Sequence, residues 1–106
     1  MGLQRDVTYT GEAPSWDILR ERLAAAGVLV TMRMIDNLPA FPDEVPEPGW
    51  RELRLATGHG MVTLRHAAGR LSVVVWGNAD GDLLRERDMI ASVIADLTTG
   101  SVSDPA

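Results

Sequence analysis

Residues 50–77, WRELRLATGHGMVTLRHAAGRLSVVVWG, decide the fold of this chain. Two short connections that contain glycine, residues 58–60 and 67–69, divide the stretch into three runs with strand-forming residues. Such runs, separated by short glycine-bearing connections, are typical of β-hairpins. The stretch therefore predicts a three-stranded antiparallel meander.

Apolar residues alternate along all three predicted strands, which gives the meander one buried face. That face consists of Leu53, Leu55, Val62, Leu64, Leu71, Val73 and Val75. A continuous apolar face needs a cover, and two flanking segments have the spacing of amphipathic helices. Residues 15–27 are the first, with Ser15 as the predicted N-cap. The second follows Asp80 or Asp82, either of which can cap it, and ends at Gly100.

Residues 28–35 and 6–10 are rich in β-branched residues and predict two more strands. In residues 28–35 the core face is assigned to Val28, Val30, Met32 and Met34, because this set is purely apolar. The predicted order is strand, helix, four strands, helix. It describes an α+β two-layer sandwich, with an antiparallel sheet of four to five strands and two helices on one face.

This order of elements, over about residues 6–99, resembles the half-repeat of the TATA-box-binding protein fold. The resemblance is one of topology and implies a shared architecture. Topology alone does not carry function from one protein to another. The formal net charge of −5 also disfavours binding to a phosphate backbone, so no nucleic-acid partner is expected.

The 106 residues are expected to form one domain with a proline-rich loop and a flexible tail. The loop is residues 37–49, which contain four of the six prolines, and the tail is residues 101–106. The sequence has no cysteine, which fits a cytoplasmic protein. No apolar run reaches the length of a membrane-spanning helix, so no membrane partner is expected.

The sheet face that the helices leave uncovered is the candidate binding surface. Strand parity and the strand entrance assign to it Arg33, Trp50, Arg54, Arg65, Val74 and Trp76. Aromatic residues and arginine are enriched at protein interfaces, and exposed apolar clusters often mark interaction sites. Two alternatives stay open. The proline-rich loop or the N-terminal segment can fold over this face, and Glu52 can neutralise its arginines.

Catalytic and metal-binding patterns are weak in this sequence. His59 lies in a predicted turn and His66 ends a strand, with no third ligand at a recognisable spacing. Asn78, Asp80 and Asp82 alternate as in a calcium loop, but Leu83 occupies the position of the required glycine. No metal, no cofactor and no catalytic residue is therefore predicted, and the chain is expected to be non-enzymatic.

Three functions remain open. The leading hypothesis is a small binding or protein-interaction module that acts through the uncovered sheet face, as a homodimer or with a protein partner. The second is a ligand-binding protein or enzyme with a pocket beneath residues 37–49, with Trp50, Trp76 and Arg54 under the loop. The third is an acidic accessory protein of the immunity type, which rests on composition alone.

Overall fold

The computed structural model describes residues 3–103, which form an α+β structure with one antiparallel sheet and two helices. Within this part of the chain the sheet has seven strands instead of the predicted four to five. The elements are β1 (Gln4–Thr8), α1 (Trp16–Ala25), β2 (Thr31–Ile35), β3 (Leu38–Pro39), β4 (Glu52–Ala56), β5 (Met61–Ala67), β6 (Arg70–Val74), α2 (Gly81–Thr98) and β7 (Ser101–Ser103).

The strands lie in the order β3-β2-β4-β5-β6-β1-β7, and every neighbouring pair is antiparallel. The predicted meander is confirmed as β4, β5 and β6 at the centre. Its second turn needs only Ala68 and Gly69, and Gly69 has a φ of 69°, a left-handed conformation that suits glycine. The other strands add to both edges of the meander.

The two additional strands, β3 and β7, account for the error in the strand count. Asp36 and Asn37 both have positive φ and turn the chain tightly, so that Leu38–Pro39 pairs with the end of β2 inside the predicted loop. Pro39 is tolerated because β3 is an edge strand. At the other edge, Ser101–Ser103 pairs with β1, so the expected tail begins as a strand. Residues 104–106 lie outside the described residues.

Both helices contribute to one hydrophobic core on the same side of the sheet. Their buried side chains join the predicted apolar face of the meander and Val7, Val28 and Met32 in a single cluster. Ser15 caps α1 and Asp80 caps α2, each accepting a bond from a backbone N–H three residues later, as predicted. Neither helix in residues 3–103 is long and apolar enough to cross a membrane.

A bulge in β2 changes which of its side chains face the core. Met32 pairs with Leu55 and is buried, but Met34 pairs with Arg54, so one extra residue, Arg33, stands between two successive pairs. The extra residue reverses the alternation, and Met34 points to the side opposite the helices. The prediction that Met34 belongs to the core was therefore wrong, and Ile35 packs there instead.

Candidate functional site

The face of the sheet opposite the helices, here called the open face, follows from the register of the central strands. In one row Glu52 lies beside Arg65, Arg65 beside Ser72, and Ser72 beside Asp6. In the next row the neighbours are Met34, Arg54, Thr63, Val74 and Gln4. Met61 and Trp76 continue the same faces of β5 and β6. This surface contains four of the six predicted binding residues: Arg54, Arg65, Val74 and Trp76.

Trp76 is the most exposed aromatic residue of the open face, with 52% of its surface accessible. The guanidinium carbon of Arg65 lies 5.7 Å from the centre of its ring, within the range of a cation–π contact. Met61 is 41% exposed, whereas Thr63 and Val74 are buried. Because Thr63 and Val74 face away from the helices, the longer side chains beside them provide their cover. The open face is thus a closely packed surface with an accessible tryptophan.

Glu52 binds two arginines of the open face. Its Oε1 lies 3.3 Å from Nε of Arg54, and its Oε2 lies 3.4 Å from Nε of Arg65. Arg54 also approaches the sulfur of Met34 at 3.9 Å. The predicted pairing of Glu52 with the arginines of this face is therefore confirmed for Arg54 and Arg65. One carboxylate contacts two guanidinium groups, so this part of the surface carries charges of both signs.

Two predicted site residues lie elsewhere. Trp50 is 7% exposed and belongs to the hydrophobic core, with its ring centre 5.4 Å from that of His66. It precedes β4, where the alternation of strand residues does not yet hold, so its assignment to the open face was wrong. Arg33 is exposed at the β2 bulge. Within residues 3–103, Glu52 forms ion pairs with Arg54 and Arg65 but not with Arg33.

Asp6, which the sequence did not single out, is a buried carboxylate on the open face. Its Oδ1 accepts hydrogen bonds of 2.7 Å from the hydroxyl of Ser72 and from the amide of Gln4. A buried acid with two neutral donors is satisfied without a cation. This cluster holds β1 against β6 and extends the polar row that begins at Glu52.

The proline-rich loop contributes to a second surface, on the helix side of the sheet. Its second half, residues 45–49, borders a groove on the helix side, opposite residues 11–17. Only Pro46 of the loop is buried, while Leu38, Phe41 and Val45 are exposed. Backbone contacts hold the loop as well, because the N–H of Ala40 donates to the carbonyl of Arg33 and the N–H of Met32 donates to the carbonyl of Pro42. The second half of the loop therefore shapes this second surface.

Tyr9, His66 and Trp50 form a hydrogen-bonded chain in that groove. The hydroxyl of Tyr9 lies 3.0 Å from Nε2 of His66, and Nδ1 of His66 lies 3.4 Å from the backbone oxygen of Trp50. Because the carbonyl can only accept a hydrogen bond, a neutral His66 carries its proton on Nδ1. Its Nε2 then accepts a hydrogen bond from the hydroxyl of Tyr9. Burial raises the pKa of Tyr9, so its phenol stays neutral. The residues come from distant segments, and no local pattern predicts their meeting.

His59 joins the β4–β5 turn to α2. Its Nδ1 lies 3.0 Å from Oε1 of Glu86, and the hydroxyl of Thr57 donates to the same oxygen at 2.7 Å. The hydroxyl of Thr57 also accepts the backbone N–H of His59 at 3.1 Å, but it has no hydrogen bond to the imidazole, so the histidine does not activate it as a nucleophile. Among residues 3–103, no three side chains of the metal-binding types are grouped to hold an ion.

Comparison of the chain with protein-family models, with curated proteins and with solved structures found no match in any of the three. Two surfaces of this chain have features of a binding site. The open face offers an accessible tryptophan among arginines, which suits contact with another protein. The groove is lined by aromatic and polar side chains, which suit the binding of a small molecule.

Proposed function

We propose that this chain is a small non-enzymatic protein-interaction module that binds a second copy of itself through the open face. The observation that carries the proposal is the half-exposed Trp76 beside Met61, with Arg65 stacked on its ring. Tryptophan and arginine are the residues that most often dominate the energy of an interface, and methionine is enriched there. When a partner covers such a tryptophan, a large apolar surface is removed from water, and this favours association.

The charges of the open face favour a second copy of this chain as its partner. The open face carries both signs, because Glu52 lies between Arg54 and Arg65. In a two-fold contact each residue of one copy meets the reciprocal residue of the other, so Glu52 of each copy can face an arginine of its partner. A face with arginines alone would repel its own copy.

Trp76→Ala tests this function. Sedimentation velocity over a range of concentrations is expected to show a monomer–dimer equilibrium for the native chain. The variant is expected to associate about thirtyfold more weakly, the loss typical of an interface tryptophan worth about 2 kcal/mol. Ile18→Ala is the control, because Ile18 is 50% exposed, close to the value of Trp76, but belongs to α1 on the opposite side of the sheet.

A native chain that stays monomeric at every concentration would overturn the proposal, as would a Trp76→Ala variant with unchanged association. Far-ultraviolet circular dichroism of each variant separates a loss of contact from a loss of fold. Trp76 follows β6 and is half exposed, so the variant is expected to remain folded.

Ligand binding beneath the proline-rich loop is a second candidate function. It is favoured by the groove between residues 11–17 and 45–49. Trp50 lines this groove, whereas Trp76 and Arg54 are not among its lining residues. A ligand here would contact the helix side of the sheet and leave the open face free.

Three further expectations remain predictions. A cytoplasmic location rests on the absence of cysteine, and the lack of a nucleic-acid partner rests on the net charge of −5. The topological resemblance to a TATA-box-binding-protein half-repeat concerns the elements β1, α1, β2, β4, β5, β6 and α2, with β3 and β7 as additions. A filter-binding assay with duplex DNA at low salt tests the second expectation, and retained DNA would contradict it.

A further inference from the structure

The groove on the helix side has the size of a site for a small organic molecule. Its volume is about 800 Å³. Residues 11–17, which include Trp16, form one wall and residues 45–49 form the other, and Trp50 and Tyr9 line the groove between them. Trp16 is the first residue of α1, and Trp50 lies two residues before β4. The groove is therefore built from the start of α1 and the second half of the proline-rich loop.

The charged groups around the groove are acidic. Glu12, Asp17 and Glu47 line it, and none of the arginines in residues 3–103 is among its lining residues. His66 is the one basic side chain there, and both of its nitrogens are occupied by Tyr9 and the Trp50 carbonyl. A cleft lined by charges of one sign concentrates ligands of the opposite sign. The groove therefore favours a cation.

The N-terminus of α1 also reaches the groove, and a helix N-terminus by itself attracts anions. Here the hydroxyl of Ser15 already accepts the N–H of Ile18, and Asp17 places a negative charge in the first turn. The positive end of the helix is thus compensated by the chain itself. It does not reverse the preference set by the carboxylates.

The aromatic side chains that line the groove favour an organic cation over a bare metal ion as its ligand. Guanidinium and ammonium groups bind to the faces of tryptophan and tyrosine rings, while an attached apolar chain gains from contact with the same rings. A metal ion needs several oxygen or nitrogen ligands at short distance, and no such group of side chains occurs in residues 3–103. We infer that the groove binds a small organic cation, with its charged head at the carboxylates and its apolar part along the aromatic rings. This inference rests on the second candidate function.

The test uses the full chain carrying Trp76→Phe, in which Trp16 and Trp50 are the remaining tryptophans and both line the groove. Their fluorescence is followed during titration with n-butylguanidinium and, separately, with n-pentanoate, an anion of similar length. We expect a saturable change with the cation that weakens as salt is added, and none with the anion.

Glu12→Gln and Glu47→Gln should each weaken binding of the cation about fivefold, because each removes one partly exposed ionic contact. Glu21→Gln is the matched control, since Glu21 is an exposed residue of α1 outside the groove. Both glutamates of the groove are exposed, so the variants are expected to fold.

A cation response that the two groove variants leave unchanged would overturn the inference, because the ligand would then bind elsewhere. A saturable response to n-pentanoate instead would overturn the cation preference while keeping the groove as a ligand site. No response to either probe would overturn both the inference and the second candidate function. None of these results bears on self-association, because Trp76 lies on the opposite side of the sheet.

Discussion

Two carboxylates of this protein each bind two arginines, and they lie on opposite sides of the sheet. On the open face, Glu52 lies between Arg54 and Arg65, whose side chains are 40% and 47% exposed. On the helix side, Asp88 of α2 lies 3.3 Å from Nε of Arg5 and 2.8 Å from a terminal nitrogen of Arg87, and the side chain of Arg87 is only 4% exposed. The same pairing chemistry occurs in two different environments.

This difference in burial indicates which of the two charge clusters stabilises the fold. A buried guanidinium has lost its water and must be compensated by its neighbours, so removing a partner is costly. An exposed guanidinium keeps part of its water and exchanges one carboxylate for another at little cost. Asp88 therefore connects α2 to β1, whereas Glu52 holds two arginines that another molecule can still reach.

Asp88→Asn should have the largest effect on stability. It removes the charge that faces Arg5 and Arg87 and is expected to lower the free energy of unfolding by about 2 kcal/mol, below the full value for a buried pair because Asp88 itself is half exposed. Urea denaturation measures the change. Asp96→Asn, an exposed position on the same helix, is the control and should stay within about 0.5 kcal/mol of the native value. A loss no larger than the control's would contradict a structural role for the cluster.

Asp36 is a third carboxylate, and it binds backbone groups instead of arginines. Its Oδ1 accepts the N–H groups of Arg51 and Glu52 at 2.7 and 2.9 Å, and these bonds lower its pKa. Because the folded state prefers the charged form, this stabilisation is present above about pH 4, the range of an ordinary aspartate, and is lost as the pH falls through the lowered pKa.

Asp36→Asn keeps an acceptor and the tolerance for positive φ but removes the charge. It should cost about 1 kcal/mol at neutral pH, a value reduced by the exposure of the site, and the difference from the native chain should disappear in acid. Urea titrations at neutral and acidic pH check this. A difference that persists below the pKa of Asp36 would mean that the charge is not the cause.

The sequence predicted the centre of the fold because that part depends on local patterns. Alternation and glycine turns define β4, β5 and β6, and Ser15 and Asp80 cap the helices as expected. The short edge strands were missed because pairing with a distant strand leaves little local signal. The Asp36–Asn37 pair was the one available sign of β3, since these residue types tolerate the tight turn that precedes it.

The open face was predicted as far as strand parity holds. Parity placed Arg54, Arg65 and Trp76 correctly, but it failed for Trp50, which is buried in the core, and for Met34, which follows a bulge. The groove was beyond local reasoning, because its aromatic residues meet only after β1, α1 and β5 have assembled. Sites made by distant segments need the fold before they can be found.

Glu52→Gln should have the smallest effect on stability and is the counterpart of Asp88→Asn. Its free energy of unfolding is expected to stay within about 0.5 kcal/mol of the native value, because both arginines remain hydrated. Association should weaken about fivefold, since the arginines of two facing copies would then repel each other without an intervening carboxylate. Urea denaturation and sedimentation velocity give the two measurements, and Glu21→Gln serves as the control for a lost surface charge.

The two measurements on Glu52→Gln separate the parts of the argument. A loss of stability as large as that of Asp88→Asn would show that exposure does not distinguish the two clusters. Stronger association instead of weaker would mean that the freed arginines seek an acidic surface, and the partner would then be a protein of that kind and not a second copy. Unchanged stability with weakened association is the one combination that fits an exposed, self-complementary face.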